Sequence, residues 1–191
     1  LRALGRIYAA SGQHHELVLM HEEELKALEA ANADPTALAT VLFRIGGLYE
    51  RDLDDAAQAI HAYERVIERM PGHLPALQAL GRLYAQTRRF RDLVAVNAQE
   101  IEASTDARTR IALLSRNAEL LSEELHDPHG AVECHKQVLE LDPENAISIQ
   151  ALGRAYHARG MWNELYALYQ SEVEHARAAT ARGDAYFRMG Q

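Results

Sequence analysis

The sequence predicts an all-α fold, a stack of antiparallel helix hairpins, on three observations. One phrase is written three times: ALGRIYAASGQH from Ala3, ALGRLYAQTRRF from Ala79 and ALGRAYHARGMW from Ala151. The second and third copies stand 72 residues apart (151 − 79), and the same offset brings Arg44 onto Arg116, Leu48 onto Leu120, Leu53 onto Leu125, Ala59 onto Ala131, Val66 onto Val138 and Pro71 onto Pro143. Within the phrase, Leu77, Leu80, Leu83 and Tyr84 fall along one side of a helix, and strand-type alternation is absent from the sequence. A hairpin of this size cannot bury its apolar stripe alone. It must lie against a near-copy of itself, and each copy then needs its interface residues at the same helical phase.

The elements follow in order from these anchors. The first copy, at Ala3, lies 76 residues before the second (79 − 3), so about four extra residues belong near Ala31 to Ala37, where Asn32, Asp34 and Pro35 signal a loop. Asp34 is an N-cap and Pro35 takes the first helical position, where a missing N–H costs nothing. The acidic turn Asp52, Asp54, Asp55 caps the following helix, and Met70-Pro71-Gly72 closes that hairpin. After the second copy of the phrase comes a turn at Thr87 to Arg89 and a helix marked by Leu93, Val96 and Ile101. Ser104, Thr105 and Asp106 end it and cap the next helix, and Asp142-Pro143 closes the hairpin before the third copy. A doubled offset carries Phe43-Arg44 onto Phe187-Arg188 near the C-terminal edge.

Leu80-Gly81 followed by Tyr84, with the equivalent Leu4-Gly5 and Tyr8 and Leu152-Gly153 and Tyr156, resembles the first helix of the tetratricopeptide repeat family, and Ala59, Tyr63, Val66 and Pro71 resemble its second helix and terminator. The resemblance covers essentially the whole chain. It implies a right-handed superhelical solenoid of antiparallel helix hairpins over residues 1–191, about five hairpins with a sixth starting at Tyr186, read as a segment of a longer array. The departures are regular. Alternate hairpins lack the terminal proline and carry Leu17, Leu93 and Leu165 where the family favours alanine, and Asn117-Ala118 replaces one Leu-Gly pair. Glycine at 5, 81 and 153 is expected to let helices approach closely, despite a cost of about 1 kcal/mol in helix propensity relative to alanine.

Two charged series keep the period. Glu24, Glu100 and Glu172 are equivalent, as are Arg44, Arg116 and Arg188 in the helices that follow, so an inter-repeat Glu–Arg pair repeated three times is expected, with independent solvation as the alternative. Exposed pairs contribute only about 0–1 kcal/mol, which leaves register as their main effect. Arg6, Arg82 and Arg154 each follow the glycine of a first helix, and Gln78 and Gln150 stand one turn before the last two. The family resemblance places first helices along a concave groove in which partner peptides lie. Arg6, Gln78, Arg82, Gln150 and Arg154 are therefore the candidate partner-binding residues, suited to an acidic or C-terminal peptide. The alternative is that they are solvated arginines whose stems cover apolar surface. The Lys/Asn clamp of chaperone-binding relatives is not present.

Composition narrows the partner. A hydrophobic content of 48% suffices for a buried core, and a net charge of −8, from 28 acidic and 20 basic side chains, disfavours nucleic acid, whose phosphates need neutralising. No apolar run approaches the roughly 18 residues of a membrane span. Cys134 stands alone and cannot form an intramolecular disulfide, which weighs slightly toward the cytoplasm and leaves the compartment otherwise open. There is no phosphate loop, dinucleotide fingerprint, HExxH or GxSxG motif, so no catalytic residues, cofactor or metal are expected. His126, His129, Cys134 and His135 have zinc-compatible chemistry, but at the period's offset they replace Asp54, Ala57, Ala62 and Tyr63, ordinary loop and packing positions. Trp162 aligns with Phe90 and is expected to pack at a hairpin turn.

The function expected is a non-enzymatic scaffold that binds a partner peptide or protein through the groove. A structural spacer or assembly element, or a regulatory arm of an enzyme encoded elsewhere in the parent chain, are the alternatives. Uncapped array ends leave self-association open.

Overall fold

The computed structural model describes residues 2–175. Ten helices account for the regular structure in that span: α1 (Arg2–Ala10), α2 (His14–Ala30), α3 (Pro35–Arg51), α4 (Ala56–Arg69), α5 (Leu74–Gln86), α6 (Phe90–Ala103), α7 (Ala107–Glu123), α8 (Pro128–Leu141), α9 (Ala146–Ala158) and α10 (Trp162–His175). They pair as five hairpins of an all-α helical-repeat solenoid. The expected start of a sixth hairpin at Tyr186, and Arg188 with it, lies outside the described residues. The chain divides into two compact units, Leu1–Ala103 with α1 to α6 and Ser104–Gln191 with α7 to α10. Inside each unit, helices pack on their neighbours in sequence.

The 72-residue register is written into the turns. Met70 ends α4 with φ −140° and ψ 82°, and Asp142 ends α8 with φ −142° and ψ 87°. Both precede proline, whose ring disfavours helical backbone in the residue before it, so each helix stops at the same place for the same reason. Asp54 and His126 sit in the left-handed region at φ 52° in the α3–α4 and α7–α8 turns, and Gly12, Arg88 and Gly160 do so at the tips of the other three hairpins. Asp and His tolerate this conformation better than most side chains. Asp55 and Asp127 then cap α4 and α8 by accepting from Gln58 N and from His129 N and Gly130 N.

The extra residues of the first period are placed differently from the expectation. Helix α2 has 17 residues where its counterpart α6 has 14, so most of the insertion prolongs the helix, and the loop after it, with Asn32 at φ 47°, takes little. Nearly one added turn preserves the helical phase of everything before it, which a lengthened loop alone would not need to do.

The core follows the repeated apolar positions. Leu77, Leu80, Val66 and Ala59 are fully covered in the first unit, with Tyr63 at 1% exposure, and Leu152 and Val138 hold the corresponding places in the second. The three first-helix glycines face second-helix side chains, but only at two would an added Cβ press on a neighbour, in each case the movable end of a side chain. A Cβ at Gly5 would stand 3.0 Å from Met20 Cε, and one at Gly153 would stand 2.8 Å from Tyr169 Oη. At Gly81 the nearest atom, Asn97 Oδ1, is 3.7 Å away, an ordinary contact. Gly81 is thus not required by close approach, contrary to the sequence-based expectation.

Candidate partner-binding surface

Two of the predicted surface residues carry bonds within the fold. Arg82, on α5, donates from Nη2 to Glu50 Oε1 at 3.0 Å, and the other oxygen of Glu50, on α3, accepts from the Tyr63 hydroxyl of α4 at 2.8 Å. One carboxylate therefore ties three helices. Gln78, also on α5, donates to the largely buried Glu100 of α6 at 3.0 Å. Tyr84 repeats the theme by donating to Glu64 at 2.7 Å, with Arg89 stacked over its ring at 4.7 Å.

These bonds replace the expected Glu–Arg series. Glu24 accepts from His21 Nδ1 at 2.9 Å instead of pairing with Arg44, because a partner three residues along the same helix is already in reach. Glu100 is engaged by Gln78, and the Glu172–Arg188 member lies partly outside the described residues.

In the second unit the same positions carry different chemistry. Offset by 72, Glu50 becomes Ser122 and Tyr63 becomes His135, while Arg82 remains arginine as Arg154. Arg154 is exposed on α9 and makes no ion pair with any described residue. His135 turns to the fully buried Ser148, with Nδ1 and Oγ 3.1 Å apart. Burial pushes the His135 imidazole below its ordinary 6.5; the Glu119 charge opposes this shift and the Arg154 charge adds to it. The fold thus holds the neutral ring. Its stabilising contribution is complete above about pH 6.5 and is lost as pH falls, since the unfolded chain takes up the proton first. Thermal unfolding followed from about pH 7.5 down to about 5 should show a shallower loss for His135→Gln than for the wild type. An unchanged slope would mean that His135 titrates alike in both states.

Arg154 and Gln150 border a cleft of about 770 Å3 between α9 and α10. Ile147, Gln150, Arg154 and His157 lie along one face of α9, and Trp162 and Tyr166 supply the opposite wall. Three of these are large apolar groups left open: Ile147 is 74% exposed, Trp162 60% and Tyr166 55%. Trp162 packs at the α9–α10 hairpin turn, as its alignment with Phe90 suggested, standing edge-on to His157 with ring centroids 5.4 Å apart while most of the indole stays open. Arg6 is exposed on α1, beside the exposed Leu4 and Ile7.

The residues weighed for metal or nucleophilic chemistry are spread apart. His126 occupies the left-handed turn position, His129 opens α8 and His135 faces Ser148. Among the described residues no three His, Cys, Asp or Glu side chains gather around a common point. Burial raises the Cys134 thiol above its ordinary value, with Asp127 and Glu133 adding to the effect, which disfavours the reactive thiolate. No described helix is long and apolar enough to cross a membrane.

Sequence profiles of the tetratricopeptide repeat match residues 1–36 and 148–182 in one version and 39–73 in another. A comparison with curated proteins returns no match. Among solved structures, the chain is similar to MamA at 15% identity, covering 89% of this chain and 92% of that one with a TM-score of 0.46. It is also similar to YrrB, described as a TPR protein with an unusual peptide-binding site, at 17% identity, 86% and 79% coverage and a TM-score of 0.44. A tetratricopeptide repeat protein from Parabacteroides merdae aligns at 16% identity over 98% of this chain and 72% of its own, with a TM-score of 0.49.

Proposed function

Since the chain belongs to the tetratricopeptide repeat family, whose repeats are protein-interaction modules, we propose that it is a non-enzymatic scaffold that holds a segment of a partner protein against its first helices. Each unit supplies its own residues: Arg6, Gln78 and Arg82 in Leu1–Ala103, and Gln150 and Arg154 in Ser104–Gln191. The observation that carries this proposal is the contrast within α5 and α9. Leu80, Gly81, Leu83 and Tyr84 are buried around an exposed Arg82, and Leu152, Gly153 and Tyr156 around an exposed Arg154. Packing accounts for the apolar residues and leaves the arginines facing solvent, where a charged partner can be read.

Selection from a displayed random-peptide library on the full chain tests it. Selected peptides should bind about tenfold or more weakly when Arg6, Arg82 and Arg154 are all replaced by glutamate, and less tightly as salt is raised. A glutamine triple variant, with its melting curve, separates lost charge from lost folding. Equal binding by all three proteins would reject the arginines as the recognition surface. The reading of the chain as an assembly element draws support from Leu4 and Ile7 on α1 and Leu19 on α2, large apolar groups left exposed, and concentration-dependent association that persists in the triple variants would favour it.

A further inference from the structure

The arginine series is not uniform, and the difference points to where and what the second unit binds. Arg82 is paired with Glu50 at 3.0 Å while most of its side chain stays in solvent, so its charge is partly answered within the fold. Arg154 has Ser122 where that carboxylate would stand. Leu80, Gly81 and Tyr84 recur around the second arginine as Leu152, Gly153 and Tyr156, while Leu83 becomes Ala155, so the second unit keeps the main packing positions with the counter-charge removed. At that place the surface also changes character. Pro75, Phe90 and Val94 of the first unit become Ile147, Trp162 and Tyr166, all three far open to solvent beside Arg154.

We infer that the α9–α10 cleft is a docking site for a short segment of a partner protein in which a bulky apolar side chain is followed closely by a carboxylate, with Arg154 as the residue that reads the acid. This rests on the scaffold reading above and makes it specific to one cleft. Trp162 and Tyr166 provide apolar walls for one large side chain in a cleft of about 770 Å3, and Ile147, about 15 Å along α9 from His157, lines its other end for the rest of the segment. Such a group gains by leaving water, and aromatic walls add contact area at small entropic cost. The charge in the cleft is polarised. His157 lies one turn beyond Arg154 and touches Trp162, whereas Glu172, at the far end of the antiparallel α10, borders the opposite end. An acid on the partner therefore belongs at the Arg154 end, where it meets a planar guanidinium with no described carboxylate already on it.

The cleft contains its own reporter, because Trp162 is the one tryptophan of the chain. The test uses the full chain and an array of eight-residue peptides carrying Phe, Leu or Ala at a central position and Asp, Asn or Lys two residues later. Binding is read by anisotropy of a labelled peptide and by Trp162 emission. The expected result is that Phe or Leu with Asp binds and shifts Trp162 emission, and that the Ala and Lys series do not. Arg154→Ala and Trp162→Ala should each weaken that binding by about tenfold or more, while Arg91→Ala, at an exposed arginine of α6, leaves it within about twofold.

Peptides that bind equally to Arg154→Ala, or that lose as much with Arg91→Ala, overturn the assignment to this cleft and leave the scaffold reading standing. Failure of every peptide in the array, while library-selected peptides still bind and respond to the triple arginine variants, overturns the stated partner chemistry alone. Failure of both overturns the scaffold reading as well. Trp162 that is already blue-shifted and shielded from acrylamide in the free full chain would show the cleft filled by the protein itself, and would overturn the proposal.

Discussion

Replacing Tyr63 by alanine is expected to destabilise the Leu1–Ala103 unit by about 3–5 kcal/mol, the range for deleting a buried aromatic ring. The ring is 1% exposed and fills the space opposite Gly46, where a Cβ would stand only 2.6 Å from Tyr63 Cε1. Phe43 packs on it at 5.3 Å between centroids. The cost should therefore lie well above that of a surface change. The hydroxyl adds a second contribution by donating to Glu50, which in turn holds Arg82.

Burial first, and then the Glu50 carboxylate, push the Tyr63 phenol far above its ordinary range, so it remains a neutral donor at any pH at which the fold persists. Tyr63→Phe removes the hydrogen bond and keeps the ring. It should cost about 0.5–1.5 kcal/mol, since Glu50 retains Arg82 and is partly open to water. Urea unfolding of the two variants separates packing from bonding. If Tyr63→Phe cost as much as Tyr63→Ala, the Glu50 junction rather than the ring would be what secures α4 between α3 and α5.

The hairpins were legible in the sequence because their causes are local and repeat. Met70 and Asp142 stop their helices because proline follows, and Asp34, Asp55 and Asp106 cap theirs through side chains that reach only two or three residues ahead. Leu80 and Leu152 are buried because helical spacing alone decides their face. The contacts of long polar side chains were not legible in the same way. Spacing puts Glu24 and Arg44 in equivalent layers but does not rank Arg44 against His21, which lies one turn away on the same helix and takes the bond. Trp162 shares a register with Phe90 and packs at the turn as that register implies, but register does not set how much of the indole stays open.

The Arg82–Glu50 pair was hidden for a related reason. Its partners lie 32 residues apart on helices that are not successive, and only the bent path through α4 brings them together. One signal for it was nevertheless present: the replacement of Glu50 by Ser122 at the 72-residue offset, set beside an arginine that does not change. A repeat protein offers this comparison within a single chain, because positions with the same mechanical task can be told from those that have been released from it.

Leu152→Ala is expected to cost about 2–5 kcal/mol in the second unit, whereas Ile147→Ala, on the same helix, should stay within about 0.5 kcal/mol. Leu152 is 1% exposed and forms a cluster with Val132 and Tyr156, against which Leu139, Leu165 and Leu168 also pack. Helix α10 has no fully buried residue of its own, so its attachment to α9 passes through partly covered side chains that meet this cluster. Truncation at Leu152 opens a cavity between α8, α9 and α10, and its cost follows how little those surroundings can close on it. Hydrogen exchange should show protection lost first along α9 and α10. Ile147, 74% exposed at the rim of the cleft, has nothing comparable to lose in the free protein. The pair of variants thus reads the surface as well as the core: Ile147→Ala should leave stability untouched and weaken peptide binding, and a large loss of stability instead would mean that the apolar wall of the cleft is already covered in solution.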